Sequence, residues 1–126
     1  MERHYVKYAT EVFQFTKEIN MKFRMAKDSW TSKETSMIPK FLRGHFTDSD
    51  KVQHALGGLV LALILGIWTS PIIAGALSAL FWKLWEVKDA YVPWETVGFW
   101  GGDGFSWRDM LASWGGALAG ALFLAL

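Results

Sequence analysis

The chain has no cysteine, only three prolines among its 126 residues, and a net charge of just +1. Without cysteine there is no disulfide framework and no thiolate metal site. A net charge this small gives no electrostatic footprint for nucleic acid, and none is expected as a partner. The opening MERHYVKYATEVFQF lacks the apolar core and small-residue cleavage site of a signal peptide. The sharpest absence is local. From Ala55 to Trp82 there is no Asp, Glu, Lys or Arg.

The charge that is present sits mostly before that run, and this segregation predicts two parts: a polar arm over residues 1–49 and a helical part over residues 50–126. Within the arm, Ala9, Val12, Phe15, Ile19 and Phe23 recur at three- or four-residue steps, which predicts an amphipathic helix from Tyr5 to about Lys27. Residues 28–50 are rich in Ser, Thr and charge and read as a connector. Residues 55–82 are long enough for one tilted membrane span, but WTSP at 68–71 carries a helix-start signal, with Ser or Thr to cap and Pro in the first turn. A hairpin of two short spans, Lys51 to Trp68 and Ser70 to Val87, is therefore expected, and a third span from Trp107 to Leu126. Ser106 and Asp109 have capping-box spacing at its start, and Gly116 and Gly120 form a GxxxG pair inside it.

The expected fold class is thus all-α, a membrane protein with three transmembrane helices and an N-terminal amphipathic helix. Its partners would be the lipid bilayer and further copies of itself or a larger assembly. The expected location is a bacterial or phage-encoded inner membrane, multi-pass, and the Lys- and Arg-rich arm puts the N-terminus and polar groups on its cytoplasmic side. An all-α domain whose apolar runs form a buried core is the remaining alternative.

This topology brings distant polar residues to one end. Asp50, Lys51 and His54 open the first helix, Lys83, Glu86, Lys88 and Asp89 close the second, and Asp103, Arg108 and Asp109 precede or open the third. Asp50 and His54 are spaced i, i+4, and Glu86 and Asp89 i, i+3, so each pair shares a helix face. A histidine among carboxylates favours its charged form or offers a nitrogen to a metal. Clustered acids raise one another's pKa and suit a divalent cation. His54, Glu86, Asp89 and Asp109 are the candidate catalytic residues. Asp50, Lys51, Lys88 and Arg108 are the candidate substrate-binding residues, and a divalent cation is the candidate cofactor, its identity open. Lys83 reads as a lysine whose stem covers apolar surface.

Three ordered blocks, DKVQH at 50–54, WKLWEVKDA at 82–90 and GFSWRDMLASWGGALAG at 104–120, resemble the YfiM-like lipoprotein family and, more loosely, the VanZ-like membrane proteins. The resemblance covers about residues 50–121. It implies a shared helical fold, with Asp50, Lys51 and His54 in the first block, Glu86 and Asp89 in the second, and Ser106, Trp107 and Asp109 in the third. Trp85 stands where that family usually has lysine, and no cysteine is present to carry a lipid.

These readings converge on a cell-envelope membrane protein whose carboxylate and histidine cluster binds a polar or phosphate headgroup, with a divalent cation as intermediary. If it is an enzyme, it is a hydrolase of lipid phosphates or envelope precursors. The contrasting expectation is a structural or assembly subunit, holin-like or accessory to a larger membrane or virion complex.

Overall fold

The computed structural model describes residue 11, residues 22–32 and residues 49–126, with Thr96 and Phe99 described in their backbone only. The amphipathic helix expected from Tyr5 lies outside the described residues except for Glu11, which is helical, and residues 22–27, which are not helical. Two compact units are distinguished: a larger one from Lys27–Glu86 with Ser106–Leu126, and a smaller one from Met1–Ala26 with Val87–Phe105.

The described elements are α1 (Asp50–Leu65), α2 (Pro71–Tyr91), the single turn α3 (Trp94–Val97), a 3-10 turn (Gly98–Trp100) and α4 (Trp107–Leu124). α1 starts after an extended Ser49, with Asp50 in its first turn where the helix dipole favours an anion. At its end Thr69 Oγ1 donates to the Leu65 carbonyl (2.8 Å). Ser70 Oγ then accepts the Ile73 N–H (3.4 Å), and Pro71, which has no amide to satisfy, opens α2. α4 is capped by Ser106, whose Oγ accepts the Asp109 N–H (3.2 Å).

In the larger unit α1 and α4 approach through their smallest residues. Gly58 faces the Ser113 carbonyl, Gly116 faces the Ala55 carbonyl, and Gly120 lies against Leu59 and Ala62. The GxxxG pair of α4 is thus consumed by α1 of the same chain. α2 joins by Gly75 against Ala121, by Ser78 Oγ donating to the Gly58 carbonyl (2.8 Å), and by the Trp114 indole N–H donating to the Ala79 carbonyl (3.0 Å). The buried apolar residues here are alanines, Ala62, Ala74 and Ala117, while bulky ones face outward; Ile72 is 83% exposed. The apolar runs are therefore not a buried core of large side chains.

The three-span expectation is overturned. No helix among the described residues is long and apolar enough to cross a membrane. α1 has 16 residues, about 24 Å against a hydrocarbon core of about 30 Å. α2 has 21 residues but includes Lys83, Glu86, Lys88 and Asp89, and α4 has 18 residues and opens with Trp107, Arg108 and Asp109. The charge-free run that suggested spans is divided by the break at 66–70, and each helix is left short or carries charge inside its limits. The multi-pass inner-membrane placement and its cytoplasmic orientation fall with it.

In the smaller unit, residues 22–26 run beside Phe105: its N–H donates to the Arg24 carbonyl (2.8 Å), and the Ala26 N–H donates to its carbonyl (2.9 Å). Gly104 has φ +123°, and a Cβ there would overlap the Met25–Ala26 backbone, so this crossing requires glycine.

The close α1–α4 approach is testable. Gly116→Ala should lower stability by about 1–3 kcal/mol in urea unfolding, because its methyl would overlap the Ala55 carbonyl. Gly115→Ala, with nothing within 4 Å of the added carbon, should instead raise stability by up to about 1 kcal/mol. Equal effects of the two substitutions would refute the packing.

Candidate functional site

Six of the residues singled out in sequence meet in the larger unit: Asp50, Lys51 and His54 from α1, Glu86 from α2, and Arg108 and Asp109 from α4. Lys88 and Asp89 belong to the smaller unit, where Lys88 Nζ meets Asp89 Oδ1 at 2.5 Å and the Trp100 carbonyl at 2.6 Å. There Arg24 Nη2 donates to the backbone carbonyls of Asp89 (3.2 Å) and Gly102 (3.0 Å).

The centre of the cluster is the Lys51 ammonium. It donates to Asp28 Oδ2 (2.5 Å), to Asp50 Oδ2 (2.9 Å) and to Asp109 Oδ1. Three donors thus meet three carboxylates, the full hydrogen-bonding capacity of the group. Burial pushes the lysine pKa down, but the hydrogen bonds from Asp109, Asp28 and Asp50 outweigh it, and the net direction is upward.

His54 completes the other side. Its Nε2 lies 3.4 Å from Asp50 Oδ1 and 3.5 Å from Asp109 Oδ2. These are the oxygens that Lys51 does not take, so each of these two carboxylates bridges ammonium and imidazole. Nδ1 lies 3.4 Å from Ser113 Oγ and 3.9 Å from Glu86 Oε1, and the ring meets Trp82 edge to face, centroids 5.6 Å apart. Gly57 leaves the room that the Trp82 ring occupies. Burial drives the imidazole pKa down; the Asp50 hydrogen bond and the charges of Asp109, Asp50 and Glu86 more than reverse this, and the pKa is raised.

Ser106 ties the three helices to this centre. Its N–H donates to Glu86 Oε2 (3.0 Å), its hydroxyl donates to Asp28 Oδ2 (2.6 Å), and the same oxygen caps α4. In the capping box expected from sequence, the Asp109 carboxylate would reach back to the Ser106 N–H. Glu86 takes that N–H instead, and the Asp109 carboxylate serves Lys51 and His54. Burial and the charge of Asp50 raise the Asp109 pKa against the opposing pull of His54 and Lys51.

Asp28 is the member that sequence reasoning missed. It lies in the connector, where no periodicity marks it, yet it meets Lys51, Ser106 and, at 3.5 Å, Arg108 Nη1. Burial alone would raise its pKa, but Lys51 and Ser106 hydrogen bonds with the Lys51 and Arg108 charges carry it below the usual carboxylate value. Trp30, two residues on, stacks edge to face on Trp107 (5.5 Å), which itself lies under the Arg108 guanidinium (4.6 Å). Ser113 was also missed, although its spacing of four from Asp109 announced a polar face on an otherwise apolar helix; its hydroxyl donates to the Asp109 carbonyl (2.9 Å).

Asp50, His54 and Asp109 each offer one ligand atom, and these atoms lie within 4.8 Å of one another. Four carboxylates, Asp28, Asp50, Glu86 and Asp109, stand against two fixed cations, Lys51 and Arg108, so the cluster carries −2 when His54 is neutral. A single divalent ion would balance it.

No family model matches the chain, and neither a curated protein nor a solved structure matches it. The resemblance to the YfiM-like and VanZ-like families therefore rests on the three sequence blocks alone.

Two outcomes follow for the metal-free chain. Lys51→Met leaves three carboxylates without their shared counter-ion and should cost about 3–5 kcal/mol in urea unfolding; a loss under 1 kcal/mol would show that the ammonium does not hold them together. For pH, His54 contributes stability that is fully present below its unfolded value of 6.5 and lost as pH rises through its higher folded value. Asp28 works in the opposite sense, contributing above its unfolded value of 3.8 and losing that contribution as pH falls through its folded value. With chelator present, wild-type stability should decline above pH 6.5, and His54→Gln should abolish that decline while leaving the acid limb intact.

Proposed function

We propose that the larger unit is a binding module for one divalent metal ion, held by Asp50, His54 and Asp109, and that the ion presents its open positions to an anionic, phosphate-like ligand. The observation that carries this reading is the convergence of His54 Nε2, Asp50 Oδ1 and Asp109 Oδ2, with separations from the imidazole of 3.4 and 3.5 Å. Tetrahedral zinc with ligand distances near 2.0–2.1 Å has donor atoms roughly 3.3–3.4 Å apart. The two separations from the imidazole approach that value, and three protein ligands of mixed nitrogen and oxygen would leave a zinc ion a fourth position for a ligand.

The surroundings support the same reading. Glu86 and Ser113 face the other imidazole nitrogen, as the carboxylates and hydroxyls behind metal-bound histidines do, and so fix which nitrogen is offered. Lys51 holds the far oxygens of both carboxylate ligands and orients them. Its positive charge beside the ion favours an anion as the fourth ligand. A bound water activated by the ion would give hydrolytic chemistry, with Glu86 the nearest further carboxylate to His54.

A second reading is favoured by Lys51 itself. Its ammonium already pairs with three of the acids, so the cluster could act as a buried ionic lock that specifies one helix arrangement. The two differ in what zinc does. On the metal reading, competition against a chromophoric chelator should show one zinc per chain, with His54→Ala abolishing binding and Glu86→Gln weakening it by about tenfold to a hundredfold. Zinc uptake that is the same in His54→Ala as in the unaltered chain would leave the ionic lock standing.

A further inference from the structure

Away from the ion cluster, α2 and α4 diverge to leave an apolar groove of about 420 Å³. Its floor and walls include Gly75, Ala76 and Ala79 on α2 and Ala117, Leu118 and Ala121 on α4, and almost none of its lining is polar. The volume falls in the range of small-molecule sites, which run from about 300 to 1,000 Å³. From Pro71 to Ala79 the α2 wall is about 12 Å long, and from Trp114 to Ala125 the α4 wall is about 16 Å. The one side chain able to donate a hydrogen bond, Trp114, already gives its indole N–H to the Ala79 carbonyl. Nothing inside the groove can recognise a polar group.

The end of the groove differs from its interior. Lys83 lies one turn beyond Ala79 on the same face of α2, at the spacing of four that places side chains next to one another. It is exposed, and among the described residues it has neither an ion pair nor a hydrogen bond. From Ile72 through Trp82, and from Met110 to the C-terminus, neither wall carries another charged residue. A long apolar trough with a single unengaged ammonium at one end has the charge pattern that complements a hydrocarbon chain ending in an anion.

We propose that this groove binds a long-chain carboxylate, its hydrocarbon tail between α2 and α4 and its carboxylate paired with Lys83. The tail supplies the affinity and the lysine sets the direction of entry. The site is independent of Asp50, His54 and Asp109, so His54→Ala should leave it unchanged.

Calorimetric titration of the full chain with dodecanoate, kept below the concentration at which it aggregates, tests this. Affinity should rise about fourfold per methylene from octanoate to dodecanoate. Lys83→Glu, which removes the pair and adds a like charge at an exposed position, should weaken dodecanoate by about fivefold to tenfold. Dodecyltrimethylammonium should not compete. Ala76→Phe, which places a ring in the groove from an exposed position and should leave the circular dichroism unchanged, should abolish binding. Equal dodecanoate affinity in Lys83→Glu and the unaltered chain, or retained binding in Ala76→Phe, overturns the proposal. So does a chain that ignores dodecanoate but self-associates in sedimentation, with Ala76→Phe dissolving that association, for the groove is then a contact between copies.

Discussion

The larger unit depends on placing one ammonium among three aspartates. A lysine taken out of water is tolerated only when its charge and all three of its N–H groups are met, and Lys51 is met on every side, by Asp28, Asp50 and Asp109. The same requirement fixes the carboxylates, since each would be costly to bury without the lysine. One group from the connector, two from α1 and one from α4 are thereby held in register, and His54 inherits its position from the oxygens that remain. The geometry of the candidate metal centre is a by-product of satisfying that single buried charge.

What allows the charges to come so close is the smallness of the residues behind them. Gly58, Gly116 and Gly120 let the α1 and α4 backbones approach near their axes, and Ser78 and Ser113 take up backbone carbonyls where a larger residue would hold the helices apart. Bulky apolar side chains consequently turn outward, and the space between α2 and α4 remains a groove. Tight packing at one interface and an open trough at the next follow from the same distribution of glycine and alanine along α4.

Much of this was legible in the sequence, and the remainder failed for identifiable reasons. The helices were visible in the apolar runs, the break near Thr69–Pro71 in its capping residues, and the cap at Ser106 in its spacing from Asp109. Six site residues were found because two helix starts and one helix end fall at the same level of an antiparallel arrangement. The spanning reading came from counting an uncharged run across a break that divides it, which made two short helices look like membrane-crossing length. Lys88 and Asp89 were grouped with Glu86 because they share a helix, although α2 passes from one compact unit into the other between Glu86 and Val87. Asp28 was invisible for a different reason: an acid in a connector has no periodicity, and only its tertiary partners distinguish it.

The reach of Lys51 along the chain has a kinetic consequence. Its partners lie 23 residues before it and 58 residues after it, as well as beside it. Closing loops of that size is slow relative to forming any one helix, and desolvating the ammonium is favourable only when the distant carboxylates arrive together. The ion cluster closes only when α4 and the connector reach α1, so its formation reports long-range docking rather than the formation of any one helix.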